Sequence, residues 1–253
     1  MIFPLFKYII KAAVYDKLLW SIVGIAAIVF SLSVFFGASA VIEQDQFSIA
    51  FMAYGFRLFG VLALCLFVIG FVRRSFDARD IEYLLSRPIG RIEFVFTHAM
   101  AFSFLAVFCA FFLGATLCVI SSGNLSAGFF IWWASLAVEF IIMANVAMFF
   151  SFVVSSATAC TIVVFAFYLL SRLMGEILGI LAKGAAGGVM KVLSYAMETI
   201  SILIPRLDLM AQTKWIVYKT VPEISIAFVL LQAVVFVALI VFATSIDMKR
   251  RQF

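Results

Sequence analysis

The chain has 253 residues, of which 66% are apolar and 12% are charged, and its mean hydropathy is +1.23. Soluble domains are about half apolar and a quarter charged, so a soluble fold of this length would not bury the apolar surface present here. The composition excludes that class and predicts an all-α integral membrane protein, a single transmembrane domain over residues 1–253. The net charge of +5 accompanies no polar segment of mixed basic and aromatic residues, which argues against nucleic-acid binding.

An amphipathic helix is predicted over residues 1–16. Its apolar residues share one side: Ile2, Phe3, Leu5, Phe6, Ile9 and Ile10. Its charged residues, Lys7, Lys11 and Asp16, lie on another side. Because no small-residue cleavage site follows a short apolar core, we expect this helix to lie at the cytoplasmic interface instead of being removed as a signal peptide.

Six apolar stretches are long enough to cross the membrane, since a hydrocarbon core of roughly 30 Å requires about 20 helical residues. They lie near Leu18–Ala40, Phe51–Val72, Phe94–Ile120, Phe129–Val154, Ala157–Leu178 and Ile224–Ile246. A short polar turn connects the third and fourth stretches, and Trp132 and Trp133 beyond it are expected at interfacial depth.

Basic residues predict the orientation of the bundle. Eleven of the eighteen Lys and Arg residues fall on the side that carries both termini: Lys7, Lys11, Lys17, Arg73, Arg74, Arg79, Arg87, Arg91, Lys249, Arg250 and Arg251. Five fall on the other side, all within residues 181–223, and two lie within spans. Because cytoplasmic loops are enriched in Lys and Arg, we expect both termini in the cytoplasm.

The connection over residues 181–223 is too long for an ordinary loop, since most connections in compact folds have only a few residues. We expect re-entrant or interfacial helices on the outer face. They would be broken at Pro205 and closed by Pro222, with Trp215 and Tyr218 at the membrane surface.

Four ionisable residues inside the spans are predicted to form an intramembrane polar network: Arg57, Glu139, Arg172 and Glu176. Each costs at least a few kcal/mol near the bilayer centre unless it is paired. All four are expected at similar depth in the outer leaflet, which favours pairing of opposite charges, and Arg57 is expected to pair with Glu139. Two roles remain open for this network, ion pairs that join helices and a polar lining to a substrate path or gate.

Candidate catalytic and metal-binding residues are few. Four cysteines, Cys65, Cys109, Cys118 and Cys160, lie within spans without paired spacing or a nearby histidine, which favours reduced structural cysteines. His98 is the only histidine and is more typical of a structural donor than of a ligand. No nucleophile elbow, zinc-protease motif or phosphate loop occurs. We therefore expect no catalytic, cofactor-binding or metal-binding residue in this chain, and we expect any ATP to bind another chain.

A polar island over residues 73–93 separates the second and third spans. Asp77 and Asp80 suit the first turn of a helix, and Pro88 with Gly90 would end it. Its apolar face consists of Ile81, Leu84 and Leu85, and its charged contacts of Arg79, Glu82 and Arg87. Such a helix is suited to a groove on a partner protein, and the alternative is a solvated loop whose arginines only enforce topology.

The residues from Asp80 to Phe94 resemble the stretch between the second and third spans of type-2 ABC exporter permeases. The matching string is Asp80-Ile81-Glu82-Tyr83-Leu84-Leu85-Ser86-Arg87-Pro88-Ile89-Gly90-Arg91-Ile92-Glu93-Phe94. In that family this run forms the coupling helix that docks on the ATPase subunit. The resemblance therefore assigns ATPase docking to Asp80, Ile81, Glu82, Tyr83, Leu84, Leu85, Arg87 and Pro88. The family's usual Gly-Thr ahead of this helix is replaced here by Arg79 and Asp80.

The resemblance also implies partners and a location. It implies a homodimer of permease subunits bound to two ATPase chains, which would hold ATP and Mg²⁺, in the bacterial inner membrane among its lipids and any accessory subunits. The function expected on this basis is export of an unidentified substrate, with no catalysis by this chain. The alternative is an integral membrane scaffold or assembly factor that recruits a soluble partner without transport. An intramembrane enzyme is third, disfavoured by the missing catalytic residues.

Overall fold

The computed structural model describes residues 2–39, 43–78, 90–120, 126–184, 195–197, 199–201, 204–220 and 226–250. The regular elements of these ranges are all helical: α1 (Ile2–Tyr15), α2 (Leu18–Ser39), α3 (Gln44–Asp77), α4 (Arg91–Ile120), α5 (Ala127–Val153), α6 (Ala157–Gly184), a 3₁₀ turn (Leu207–Leu209), α7 (Lys214–Val217) and α8 (Ile226–Arg250). Within the described ranges six helices, α2 to α6 and α8, are long and apolar enough to cross a membrane. The predicted all-α class with six such helices is confirmed.

The helix α5 lies at the centre of the bundle, and α3, α4, α6 and α8 all pack against it. In the most apolar 18-residue stretch of α5, 67% of the residues are buried, against 22% for α8. A helix that is apolar on every side fits this central position, because each face has an apolar neighbour to contact. Fully buried side chains of α5 that form this core include Trp132, Leu136, Phe140 and Met143.

The bundle has two ends that differ in charge. From α2 to α6 each spanning helix packs against the next, and only three residues connect α5 to α6, so that these neighbours run antiparallel. The end that carries Arg73, Arg74, Arg91 and Lys249 is called the basic end below. The opposite end, which carries residues 204–220, is called the loop end.

Some helices extend beyond the apolar stretches that predicted them. The helix α3 continues past both ends of the predicted Phe51–Val72. Its last turns persist because they contact other elements: Arg74 Nη1 donates to Asp16 Oδ1 at 2.9 Å, and the Phe76 ring packs edge-on against Phe152 at 5.6 Å. Counting apolar residues locates the part of a helix that suits lipid and omits the polar turns that continue it.

Serine residues begin α5 and α6. Ser126 is extended (φ −96°, ψ 162°), and its Oγ accepts a hydrogen bond from the Phe129 amide at 3.3 Å. Ser156 Oγ accepts from the Ala159 amide at 3.4 Å. Such side chains bond amides that have no partner within the first turn of the helix. Extended backbone at Val154 ends α5, so three residues reverse the chain at the basic end.

The helix α1 packs against α2 and α4. Leu5, Ile9 and Ala13 are buried in these contacts, whereas Phe3 and Tyr15 are 75% and 74% exposed. The apolar surface of α1 is therefore divided between the bundle and the outside. The predicted helix is present, and its position at the membrane interface stays a prediction.

Small residues allow α3 to approach its neighbours closely. A Cβ atom added at Gly60 would lie 2.6 Å from Phe140 Cζ and 2.7 Å from Leu113 Cδ1, and both of these side chains are fully buried. On the other side of α3, Ser33 Oγ of α2 donates to the Ser48 carbonyl at 2.6 Å. Close backbone approach of this kind supplies much of the packing between membrane helices.

We expect Gly60→Ala to lower stability by about 1–3 kcal/mol, because the added methyl group overpacks a filled core. The matched control is Gly70→Ala on the same helix, where a Cβ atom meets nothing within 4 Å. That control should be neutral or gain up to about 1 kcal/mol from helix propensity. Thermal unfolding of the purified protein measures both effects, and a stable Gly60→Ala variant would contradict the close packing.

Candidate functional site

The eight residues predicted to dock an ATPase, Asp80 to Leu85, Arg87 and Pro88, lie outside the described residues. The structure does describe both flanks of this segment, the end of α3 and the start of α4. Both flanks lie at the basic end of the bundle. Three arginines in these flanks contact other elements: Arg73, Arg74 and Arg91.

Arg73 connects the end of α3 to the end of α5. Its guanidinium donates to the Ser151 carbonyl and lies 5.5 Å from the centre of the Phe76 ring. The last four carbonyls of a helix have no partner within the helix, and Ser151 lies in the last turn of α5. Arg73 therefore supplies a charged donor to a carbonyl that water does not readily reach.

Arg91 makes the corresponding contact on the other flank. Its Nη1 donates to the Lys249 carbonyl at 3.1 Å and to the Met248 carbonyl at 3.4 Å, in the last turn of α8. Arg74 pairs with Asp16 at the junction of α1 and α2. The two ends of the segment are thus joined to three different parts of the bundle.

At the loop end, residues 204–220 fold back onto α3, α5 and α6 and are called the anchored loop below. They contain the 3₁₀ turn and α7. Their buried apolar residues are Leu207, Met210, Ala211, Trp215 and Ile216. Because this backbone is mostly not helical, those buried carbonyls that no amide of the loop bonds require partners outside the loop.

Ala211 is the residue at which the anchored loop is held most closely. It has a left-handed backbone (φ 45°) that costs an alanine roughly 1–2 kcal/mol, and it is fully buried. Its carbonyl accepts from Arg57 Nη1 at 2.8 Å and from Trp132 Nε1 at 3.1 Å. Its amide donates to Ser135 Oγ at 2.9 Å. Side chains from α3 and α5 therefore bond both polar groups of a strained residue and fix its conformation.

Arg172 of α6 holds the 3₁₀ turn of the same loop. Its Nη1 donates to the carbonyls of Leu207 and Met210, the latter at 2.8 Å. The same nitrogen lies 4.0 Å from Glu139 Oε2, and the Glu139 side chain is fully buried. Tyr168 Oη donates to Glu139 Oε1 at 3.1 Å. The carboxylate therefore balances a cation whose hydrogen bonds go to the loop.

Three of the four residues in the predicted network come together, in an arrangement that the sequence did not predict. Arg57 and Glu139 were expected to pair, but Arg57 bonds the Ala211 carbonyl, and Arg172 is the only ion-pair partner of Glu139 among the described residues. Arg57 is still close enough to interact electrostatically with Glu139. Glu176 is exposed and forms no ion pair with a described residue. Both arginines hold loop carbonyls in this geometry.

Two glycines give the anchored loop room to approach the helices. A Cβ atom at Gly128, in the first turn of α5, would lie 2.6 Å from the Thr220 carbonyl oxygen and closer still to that of Trp215. A Cβ atom at Gly175 of α6 would collide with the carboxylate of Asp208. Backbone carbonyls cannot move aside as the end of a flexible side chain can. Glycine is therefore required where the loop meets α5.

Sequence reasoning missed Trp132, Ser135 and Tyr168 as members of the network. The interfacial depth expected for Trp132 and Trp133 stays a prediction, and Trp132 is fully buried against the loop. One signal was present, because Trp132, Ser135 and Glu139 fall on one face of α5 at intervals of three and four residues. Trp215 was expected at the membrane surface and is 4% exposed.

His98 and the cysteines have structural surroundings. His98 Nδ1 lies 2.9 Å from the Phe94 carbonyl, and the ring packs against Phe71, Phe94 and Phe102. The cysteines are free, and Cys65 Sγ donates to the Met143 carbonyl at 3.7 Å. No group of three or more His, Cys, Asp or Glu side chains in the described ranges is arranged to hold a metal ion.

Comparison with known proteins gives no assignment: no family model matches the chain, and no curated protein matches its sequence.

Replacing Arg57 should loosen the anchored loop. A hydrogen bond from a charged donor contributes about 1.5–3 kcal/mol, so Arg57→Met should speed amide exchange over residues 207–217 roughly ten- to hundredfold. Hydrogen–deuterium exchange with mass spectrometry measures this directly. The control is Arg206→Met, because Arg206 pairs within the loop with Asp208 at 2.8 Å and is partly exposed. Equal acceleration by both variants would show that Arg57 does not anchor the loop.

Proposed function

We propose that this chain is the membrane-spanning permease subunit of an ABC transporter that exports an unidentified substrate, driven by ATP hydrolysed on a separate subunit. One observation carries the proposal: the segment that resembles a coupling helix connects α3 to α4 at the basic end of a bundle with six long apolar helices. The flanks of that segment are bonded to the ends of other helices. A partner that moved the segment would therefore act on the whole bundle.

The helix α5 would transmit a movement of the coupling segment from the basic end to the loop end. Ser151 near one end of α5 accepts from Arg73, and Trp132 near the other end donates to the anchored loop. These two residues are separated by about 28 Å along the helix, at 1.5 Å per residue. A packed helix moves nearly as a rigid body, so a shift at the basic end changes the position of its bonds to the loop.

In this arrangement the partner ATPase and this chain have separate roles. The partner ATPase binds ATP and Mg²⁺, and this chain supplies the coupling segment, the rigid helices and the loop that closes the far end. Two copies of the chain, each with one ATPase, would rock apart and open a path between the bundles. The charged network holds the anchored loop while the path is closed, because breaking it leaves charges buried without partners.

The proposed orientation places both termini and the coupling segment in the cytoplasm of a bacterial cell and the anchored loop outside. We expect Gln44→Cys and Lys214→Cys in intact cells to react with an impermeant thiol reagent. We expect Ser75→Cys and Gln252→Cys to react only after the cells are broken. A chain with Cys118 replaced by serine provides the background, and labelling at Ser75→Cys in intact cells would reject the orientation.

The docking role is tested with Leu84→Asp and Leu85→Asp, which place a charge on the apolar face of the predicted coupling helix. A desolvated, unpaired charge at a contact costs roughly 2–5 kcal/mol, so both variants should insert normally and lose co-purification with the ATPase. Arg74→Gln is the control for docking, and this variant should bind the ATPase as the unchanged protein does. Arg73→Gln should keep ATPase binding and lose substrate-stimulated hydrolysis, because it interrupts the contact with α5.

The results of these variants separate the transporter from the scaffold. Normal ATPase binding and transport by both leucine variants would mean that the segment only sets the orientation of the chain in the membrane. Capture of a soluble partner that does not hydrolyse ATP would favour the scaffold or assembly factor. Either result would reject the proposal of a permease coupled through residues 76–91.

A further inference from the structure

A groove of about 630 Å³ runs along the outside of the bundle between α4, α5 and α8. Its floor contains Ile142, which is fully buried, and Ala233, which is 5% exposed. Its rim contains Phe96 and Phe242, which are 52% and 65% exposed. The groove exists because α8 packs against α4 and α5 with only a small part of its surface.

Among the described residues that line the groove, polar groups occur at one end. Thirteen of these fifteen residues are apolar, and the other two are Ser245 and Lys249 in the last turns of α8. The Ser245 hydroxyl is already bonded to the Val241 carbonyl at 2.8 Å. Lys249 is exposed, so its ammonium group is the cation available at the basic end of the groove. The described lining residues near Leu230 are all apolar.

The half of the groove nearest Lys249 has the length of one lipid leaflet. From Leu230 to Lys249 the groove follows α8 for about 28 Å, close to a full hydrocarbon core of roughly 30 Å, and the part from Ala238 to Lys249 is about 16 Å long. Its apolar length would therefore lie in the acyl region and Lys249 at the headgroup level. A second helix of this length and about 10 Å diameter occupies roughly 2,000 Å³, more than the groove can hold.

We propose that this groove is a binding site for a phospholipid with an anionic headgroup, drawn from the leaflet at the basic end. The acyl chain lies between α4 and α8 over α5, and the phosphate pairs with Lys249. Charge selects the headgroup, because an ammonium group at the membrane surface attracts anionic lipids. The burial of the acyl chain supplies affinity that is independent of charge. The site is separate from the anchored loop, and its occupancy does not depend on transport.

The test uses the full chain in vesicles that contain phosphatidylglycerol or phosphatidylcholine, each with a photoactivatable group near the end of one acyl chain. Cross-linking to residues 226–250 is measured by mass spectrometry at equal mole fractions. We expect at least fivefold more cross-linking from phosphatidylglycerol. Lys249→Gln should abolish this preference, and Lys249→Arg should keep it.

Two further variants control for charge and space. Arg250→Gln removes a neighbouring charge of the same helix that does not line the groove, and it should keep most of the preference. Ala238→Trp fills the groove at an exposed position, and it should reduce cross-linking from both lipids. Thermal unfolding confirms that each variant is folded.

Three results would overturn the proposal. Equal cross-linking from both lipids in the unchanged protein would mean ordinary contact with the bilayer. If Arg250→Gln and Lys249→Gln reduced the preference for phosphatidylglycerol equally, the lipid would be attracted by the overall charge of this surface and not by Lys249. Efficient disulfide formation between two copies that carry Ala238→Cys, together with no lipid cross-linking, would assign the groove to a second copy of the chain.

Discussion

Buried carbonyl groups at the loop end impose the constraint on which the rest of the arrangement depends. Residues 207–211 enter the bundle without forming an α-helix, and the carbonyls of Met210 and Ala211 are bonded by side chains from other helices. Arg57 and Arg172 supply charged donors from α3 and α6, and Glu139 from α5 balances the charge. Three spanning helices are thus fixed around one short loop. The cost of burying these charges is offset only while the loop stays in place.

The same chemistry recurs at the basic end. Arg73 and Arg91 donate to carbonyls in the last turns of α5 and α8, where the helix itself leaves those groups without partners. Guanidinium groups suit both ends, because they remain charged and present several donors in a fixed plane. The helix α5 takes part in both sets of contacts and lies at the centre of the core. Movement at either end must therefore displace α5 or break a charged hydrogen bond.

The central position of α5 also explains the groove on the outside. Helices α2, α6 and α8 bury less than a third of their most apolar stretches, so much of their surface is left for lipid or for other proteins. The groove forms where α8, which has few contacts with the bundle, meets α4 and α5, and Lys249 is the one cation among the described residues that line it. The anchored loop packs against α3, α5 and α6, and the groove lies between α4, α5 and α8, so the two share only α5 and are tested with different variants.

Sequence alone determined the class of the protein, the six spanning helices and the residues at which charge enters the membrane. Composition and apolar run length decide these features, because the bilayer requires about 20 apolar residues for each crossing. Sequence also located Arg57, Glu139 and Arg172, since any charge in an apolar stretch is visible. It did not predict their partners. The carbonyls of Leu207, Met210 and Ala211 carry no side-chain signal, and only the folding of the loop against α3, α5 and α6 places them within reach of the arginines. Tertiary structure therefore decided what each charge does, because a hydrogen bond to the backbone depends on position and not on residue type.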